Sequence, residues 1–277
     1  MSNPDILDPL VREAVAAIDA GHVGALERLL AAHPELVRDR IDYGEGYFQQ
    51  PYLLWFVAEN PIRNGKLPRN IAQVTRTILG AAERQGVDSL REQLDYALEL
   101  VCSGRIAREC GVQRELIDLL IDSGAVPGSL MAALAHREID AAERLLERGA
   151  ELTLLAAVCT GRRDDVERLL QTAGDEDRQL ALAGAALYGQ AETLAMLIDH
   201  GVDLNAYSPP GFHPHETALH HAVDSGSLDA VKVLVEAGAE LGTRDRIHQG
   251  TPLDWAEYLQ RTEIAAYLAE RFRGASN

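Results

Sequence analysis

The sequence predicts an all-α chain of stacked helix pairs, a helical-repeat solenoid. An Ala stands twelve residues before a Leu at seven places: Ala17/Leu29, Ala107/Leu119, Ala133/Leu145, Ala157/Leu169, Ala185/Leu197, Ala222/Leu234 and Ala256/Leu268. Each pair spans two short apolar segments with a turn between them. Self-similarity at a near-constant period marks a stack of units rather than one closed core. Composition agrees: 47% of the 277 residues are hydrophobic but only 5% are aromatic, which suits short helices packed through small side chains.

The elements follow in order. AGHVGALERLL (Ala20 to Leu30) reads as the second helix of a first pair. Between Ala17 and Ala107 the gap is too long for one regular unit, so an irregular one is expected there. PYLLWFVAEN (Pro51 to Asn60) reads as its first helix and IAQVTRTILGAAERQG (Ile71 to Gly86) as its second, separated by the Pro- and Gly-rich insert PIRNGKLPRN. From Ala107 onward successive anchors lie 26, 24, 28, 37 and 34 residues apart. A helix pair with a full finger loop needs about 33 residues, so the units over roughly 107–200 are expected to have little or no finger. Eight helix pairs result, in one array over 1–277: irregular over 1–100, compact over 101–204 and regular over 205–277.

The most regular unit is TALHHAVDSGSLDAVKVLVEAGAEL, from Thr217 to Leu241, and the next opens TPLDWAEYLQ at Thr251. Thr217 and Thr251 are helix-capping residues, and Pro252 is tolerated in a first turn. Leu219 with Ala222, and Leu253 with Ala256, make one buried stripe. Gly226 marks the inter-helix turn, and Gly238 ends the second helix. These two units resemble the ankyrin repeat, whose core pattern includes T-P-L-H-x-A. AGHVGALERLL and HGVDLNA (His200 to Ala206) resemble it too, and the likeness is strongest over 185–270.

The resemblance implies a protein or peptide partner, held by the finger loops and the groove of inner helices. The residues matching the family's groove positions are Glu109 and Cys110, Ala135 and His136, Cys159 and Thr160, Leu187 and Tyr188, Asp224 and Ser225, and Tyr258 and Leu259. This row is mixed and weakly charged, which suits an apolar peptide or a small ligand more than a basic tail. His220 fills the family's own His position, so its implied role is a hydrogen bond within the scaffold.

Two loops exceed what a stack needs. IDYGEGYFQQ (41–50) carries Tyr43, Glu45, Tyr47 and Phe48, and AYSPPGFHPHE (206–216) carries Phe212, His213 and His215. Structured surface loops are where binding tends to concentrate. Their aromatics either border the groove or pack on the adjacent repeat. His221 and Trp255 replace the usual apolar residue before the repeat Ala, and either fill the core or form a ligand-facing wall.

Specific chemistry is sparse. His213, His215 and His221 have a spacing that could ligate metal, but no Cys is near and the only acids are Glu216 and Asp224, so no metal is expected. Cys110, with Arg105, Arg108 and His136, is the one constellation that could activate a thiol; a buried or idle Cys is the expectation. No catalytic residue and no cofactor are expected. With 26 basic and 43 acidic residues the net charge is −17, which repels phosphate backbones and anionic lipid. Nucleic acid and membrane are therefore not expected as partners. The basic stretch Arg63, Lys66, Arg69 and Arg76 reads as a solvated loop and helix start. Three cysteines without a CxxC predict free thiols, and MSNPDILDPL lacks a secretory signal pattern, so a cytoplasmic location is expected.

The reading that follows is a non-enzymatic recognition scaffold for a protein or peptide. The alternative is a small-molecule-binding or catalytic protein with its site between loops 41–50 and 206–216, walled by Tyr47, Phe48, Tyr188, His213, His215 and Trp255. A third reading is self-association through the groove.

Overall fold

All seven anchor alanines are buried on the first helix of a pair. A methyl group at the contact lets the second helix approach closely. The turn that brings it back has a fixed geometry. Four residues after each anchor stands a left-handed residue: Gly21, Gly111, Arg137, Gly161, Gly189, Gly226 and Gln260. At six anchors the next residue's N–H then donates to the anchor carbonyl, as in Arg162 N to Ala157 O at 2.9 Å and Arg261 N to Ala256 O at 2.8 Å. Ala222 is the exception: the Ser225 hydroxyl donates to its carbonyl at 2.7 Å and accepts from Ser227 N at 3.1 Å.

The computed structural model describes residues 8–128 and 130–275, and the chain divides into two compact units between Glu151 and Leu152. The first unit contains α1 (Pro9–Asp19), α2 (Val23–Ala32), α3 (Glu35–Arg38), α4 (Ile71–Gln85), α5 (Leu90–Ser103), α6 (Arg105–Glu109), α7 (Gln113–Asp122), α8 (Leu130–Ala135) and α9 (Ile139–Glu147), with 3-10 turns at Gly46–Phe48 and Leu53–Ala58. The second contains α10 (Leu154–Cys159), α11 (Arg163–Leu170), α12 (Asp175–Leu187), α13 (Ala191–Asp199), α14 (Ala218–Ser225), α15 (Leu228–Glu236), α16 (Pro252–Tyr258) and α17 (Thr262–Ala275). Among the described residues these form eight helix pairs, if the Leu53–Ala58 turn is counted as the inner partner of α4 and α5–α6 as that of α7.

In the first unit the inner row runs α1, Leu53–Ala58, α5, α8, and the outer row α2, α4, α7, α9. In the second the inner row runs α10, α12, α14, α16, and the outer row α11, α13, α15, α17. One apolar cluster, from Leu154 to Leu268, threads the second unit. No strand occurs among the described residues; Tyr207 and Thr217 make an isolated antiparallel bridge.

Three expectations need correction. PYLLWFVAEN forms a short 3-10 turn, not a full helix. All six side chains from Leu53 to Ala58 are buried, so there is no polar face to lay along a helix. Helix α5 had no place in the repeat reading. It runs through Gly104 into α6, so Ala107 sits in a five-residue segment rather than a full inner helix. The leucine register also slips: Leu29, Leu119 and Leu169 are half-buried, and the deeper positions are taken by Leu30, Leu120 and Leu170.

The left-handed position gives a direct test. An L side chain there costs roughly 1 kcal/mol, so Gln260→Gly should raise the unfolding free energy of the second unit, read by urea titration, by up to about that amount. Gly189→Ala should lower it, because the new Cβ would stand 2.8 Å from Ser227 Cβ.

Candidate functional site

The most ordered polar construction lies in the second unit, where two finger loops stand beside the inner row. In the 206–216 finger, Ser208 N donates to Glu216 O at 2.8 Å and Glu216 N to His213 O at 3.1 Å. Phe212 is fully buried against His221, ring centroids 6.1 Å apart. His221 itself is buried on α14: its Nδ1 meets Glu216 Oε2 at 2.9 Å, and its Nε2 meets Ser208 Oγ at 2.8 Å. The other Glu216 oxygen takes His215 Nε2 at 2.8 Å. His221 Nε2 can accept from the Ser208 hydroxyl, while Nδ1 stands in ion-pair range of Glu216 without aligned hydrogen-bond geometry.

Serine, histidine and glutamate in this order have the connectivity of a nucleophile triad. Here the serine is buried and its N–H is already bonded to Glu216 O. What the network does is fasten the finger to α14. The imidazoles are thereby engaged with a carboxylate, and no group of three or more metal-ligating side chains among the described residues is arranged to hold a metal ion.

The second finger, 243–250, is built on Asp245, which the sequence reading missed. It is fully buried; Oδ1 accepts from Ile247 N at 2.9 Å and His248 N at 2.6 Å, and Oδ2 accepts from Gly250 N at 2.8 Å and Trp255 Nε1 at 3.0 Å. Burial pushes its carboxyl up, but these donors more than reverse this and hold it far below the usual carboxylate range. The Asp-Arg-Ile-His run before Gln249-Gly250 is an Asx-turn signal that could have been read. Beside it, His220 Nδ1 lies 2.8 Å from Thr217 Oγ1 and its Nε2 lies 3.2 Å from Gly250 O. His220 thus has the scaffold role its family position implied. The fingers pair directly: Arg246 N donates to His215 O at 3.0 Å, and Tyr207 hydroxyl to Arg244 O at 2.7 Å.

The inner row is selective about what it exposes. Tyr258 is 87% exposed, Tyr188, Asp224 and Trp255 are half-buried, and Cys159 and Leu187 are core. An open hollow of about 400 Å³ runs along α16, lined by His248, Gly250, Asp254, Trp255, Tyr258 and Leu259.

In the first unit the 41–50 loop packs on its neighbours. Tyr43 and Phe48 are buried against Phe56, with centroids 5.8 and 5.4 Å from its ring. Phe48, like Phe212 and His221, is thus a core support and not a contact surface: a Gly- or Pro-rich loop needs an apolar plug to stay folded. Glu45 and Tyr47 remain exposed, with the Tyr47 hydroxyl donating to Asn60 Oδ1 at 2.9 Å. His136 is exposed, and Glu109 forms an ion pair with Arg105 at 3.0 Å. Arg108 pairs with Glu138 at 2.8 Å. Both arginines near Cys110 are thus matched by acids, and its Sγ accepts from Leu67 N at 3.3 Å. The basic stretch also differs from expectation, since the Arg63 side chain is buried between Asp19 at 2.8 Å and Glu59 at 2.9 Å.

These features fit what is known of similar chains. A family model described as "Ankyrin repeats (3 copies)" matches residues 154–245 and 210–277. The chain is 41% identical over 76 residues to ankyrin repeat and SOCS box protein 6 of Homo sapiens, covering 27% of this chain and 17% of that protein. It is 29% identical over 124 residues to cyclin-dependent kinase 4 inhibitor B of Homo sapiens, covering 43% of this chain and 87% of that protein. It therefore spans about a sixth of the length of the SOCS box relative. Residues 154–277 thus match the ankyrin-repeat family model. No helix among the described residues is long and apolar enough to cross a membrane.

Two outcomes follow for the fingers. Asp245→Ala should cost roughly 3 kcal/mol of second-unit stability in urea titration, because it strands buried donors. Burial holds both His221 and His220 below the ordinary 6.5, Glu216 and Gly250 pulling the other way. The unfolded chain thus binds protons that the folded one refuses, so this stability is present above about pH 6.5 and is lost as pH falls. His221→Gln keeps a donor and an acceptor but cannot titrate; it should flatten the fall in urea midpoint between about pH 8 and pH 5.

Proposed function

We propose that the chain is a non-enzymatic recognition scaffold whose second unit binds a segment of another protein across its fingers and inner row. The observation that carries this reading is an ordered surface with exposed apolar groups: Tyr258 at 87% and Ile247 at 62% exposure, next to the Trp255-lined hollow. Exposed apolar side chains on a rigid frame are typical of a docking site. Relatives favour it as well: one is named as an inhibitor of a cyclin-dependent kinase, which is to act on another protein. The net charge of −17 sets nucleic acid and anionic membrane outside the proposal. Three free cysteines fit a reducing, cytoplasmic compartment.

Affinity capture from native lysate tests it, comparing the intact chain with Tyr258→Ala and with a Glu45→Ala/Tyr47→Ala control in the first unit. The expected result is a protein whose capture drops at least tenfold with Tyr258→Ala, as for an interface hot spot, and is unchanged in the control. Capture that is indifferent to Tyr258 contradicts the assignment.

A further inference from the structure

The paired fingers present an island of outward-facing arginines on an acidic chain. Over 206–216 and 243–250 the carboxylates are Glu216 and Asp245. Both are buried, the first engaged by His215 and His221, the second by four N–H donors. Both stay ionised and formally balance the two arginines of these segments, but their oxygens are turned inward, away from solvent. The arginines of the same segments face outward. The Arg244 side chain is 59% exposed; it donates to Gln249 O and makes a loose ion pair with the exposed Asp254 carboxylate at 3.9 Å, which leaves its remaining N–H groups open to solvent. Arg246 is exposed and lies over the Tyr207 ring at 3.8 Å, with one N–H directed to Pro214 O at 3.4 Å. Stacking on a ring fixes the guanidinium plane and keeps its other donors available, an arrangement suited to forked contact with a carboxylate. Ile247, the neighbour of Arg246, is 62% exposed.

We infer that these fingers dock an acidic, partly apolar segment of a partner protein, its carboxylates meeting Arg244 and Arg246 and an apolar side chain covering Ile247. This rests on the recognition reading above. The partner is a short acidic segment rather than a nucleic acid because a polyanion extends past the island. There it meets the field of a chain whose net charge is −17. Charges within contact range act fully, while the rest are screened beyond about 10 Å at 0.1 M salt.

The experiment is fluorescence anisotropy with the full chain at about 0.1 M salt. The probes are a labelled peptide of alternating Glu and Leu and its Gln–Leu and Lys–Leu counterparts. The Glu–Leu peptide should bind, and the Gln–Leu peptide should bind about threefold or more weaker, as expected for two exposed ion pairs. Arg244→Gln/Arg246→Gln should weaken the Glu–Leu peptide by a similar factor, with the helical circular-dichroism signal and a cooperative thermal transition retained. New hydrogen-exchange protection on binding should fall on 206–216 and 243–250. Absence of Glu–Leu binding, equal or tighter Gln–Leu or Lys–Leu binding, or indifference to the double variant overturns the proposal. So does displacement of the peptide by single-stranded RNA at equal concentration. If the lysate partner is lost with Tyr258→Ala but untouched by the arginine variant, the finger assignment falls while the recognition reading stands.

Discussion

Two helices joined by a tight turn can lie against each other only if the first carries almost nothing at the point of closest approach. Here that point is the anchor alanine, and the constraint extends beyond its methyl. Its carbonyl is the acceptor that the returning chain must reach, and the chain reaches it by passing through a left-handed residue four positions later. The geometry of the inter-helix turn follows from this contact. At Ala222, where the backbone bond is replaced, the Ser225 hydroxyl supplies both halves of the missing link. The geometry is therefore what persists, even where its chemistry changes.

A stack solved this way buries its apolar stripe and leaves its fingers to be held by other means. Backbone pairing between the fingers is slight. Their order comes from two buried carboxylates, Glu216 and Asp245, each collecting donors that would otherwise be stranded. At Asp245 one side chain fixes three backbone N–H groups and the Trp255 indole, while Glu216 ties two imidazoles to its finger. The exposed character of the fingers is then set by what remains, two arginines, Ile247 and the histidine edges.

Much of this was legible in the sequence. The Ala/Leu register, the Thr217 and Thr251 caps and the glycine turns are local signals, and local signals survive in one dimension. Helix α5 was not recovered, because no Gly or Pro break separates it from the repeat that follows except Gly104 in its own continuation. The burial of Phe48 and Phe212 was also illegible, since an aromatic in a Gly- or Pro-rich loop looks the same whether its partner is solvent or Phe56 and His221. The one-residue slip at Leu29, Leu119 and Leu169 reflects helix rotation, which packing decides. Of the candidate site, Tyr258 and Trp255 were legible from repeat position, and the histidine loop from its excess length and its aromatic and Pro content. Asp245 was passed over because a charged residue in a loop suggests solvent.

The central claim is that the fingers of the second unit are rigid extensions of its core and so present a preformed surface. Native-state hydrogen exchange on the intact chain tests this most directly. The account predicts that the amides of Ser208, Ile247, His248 and Gly250 are protected within about tenfold of those in α14. Exchange of these amides at the rate of an open loop, with α14 still protected, would contradict it.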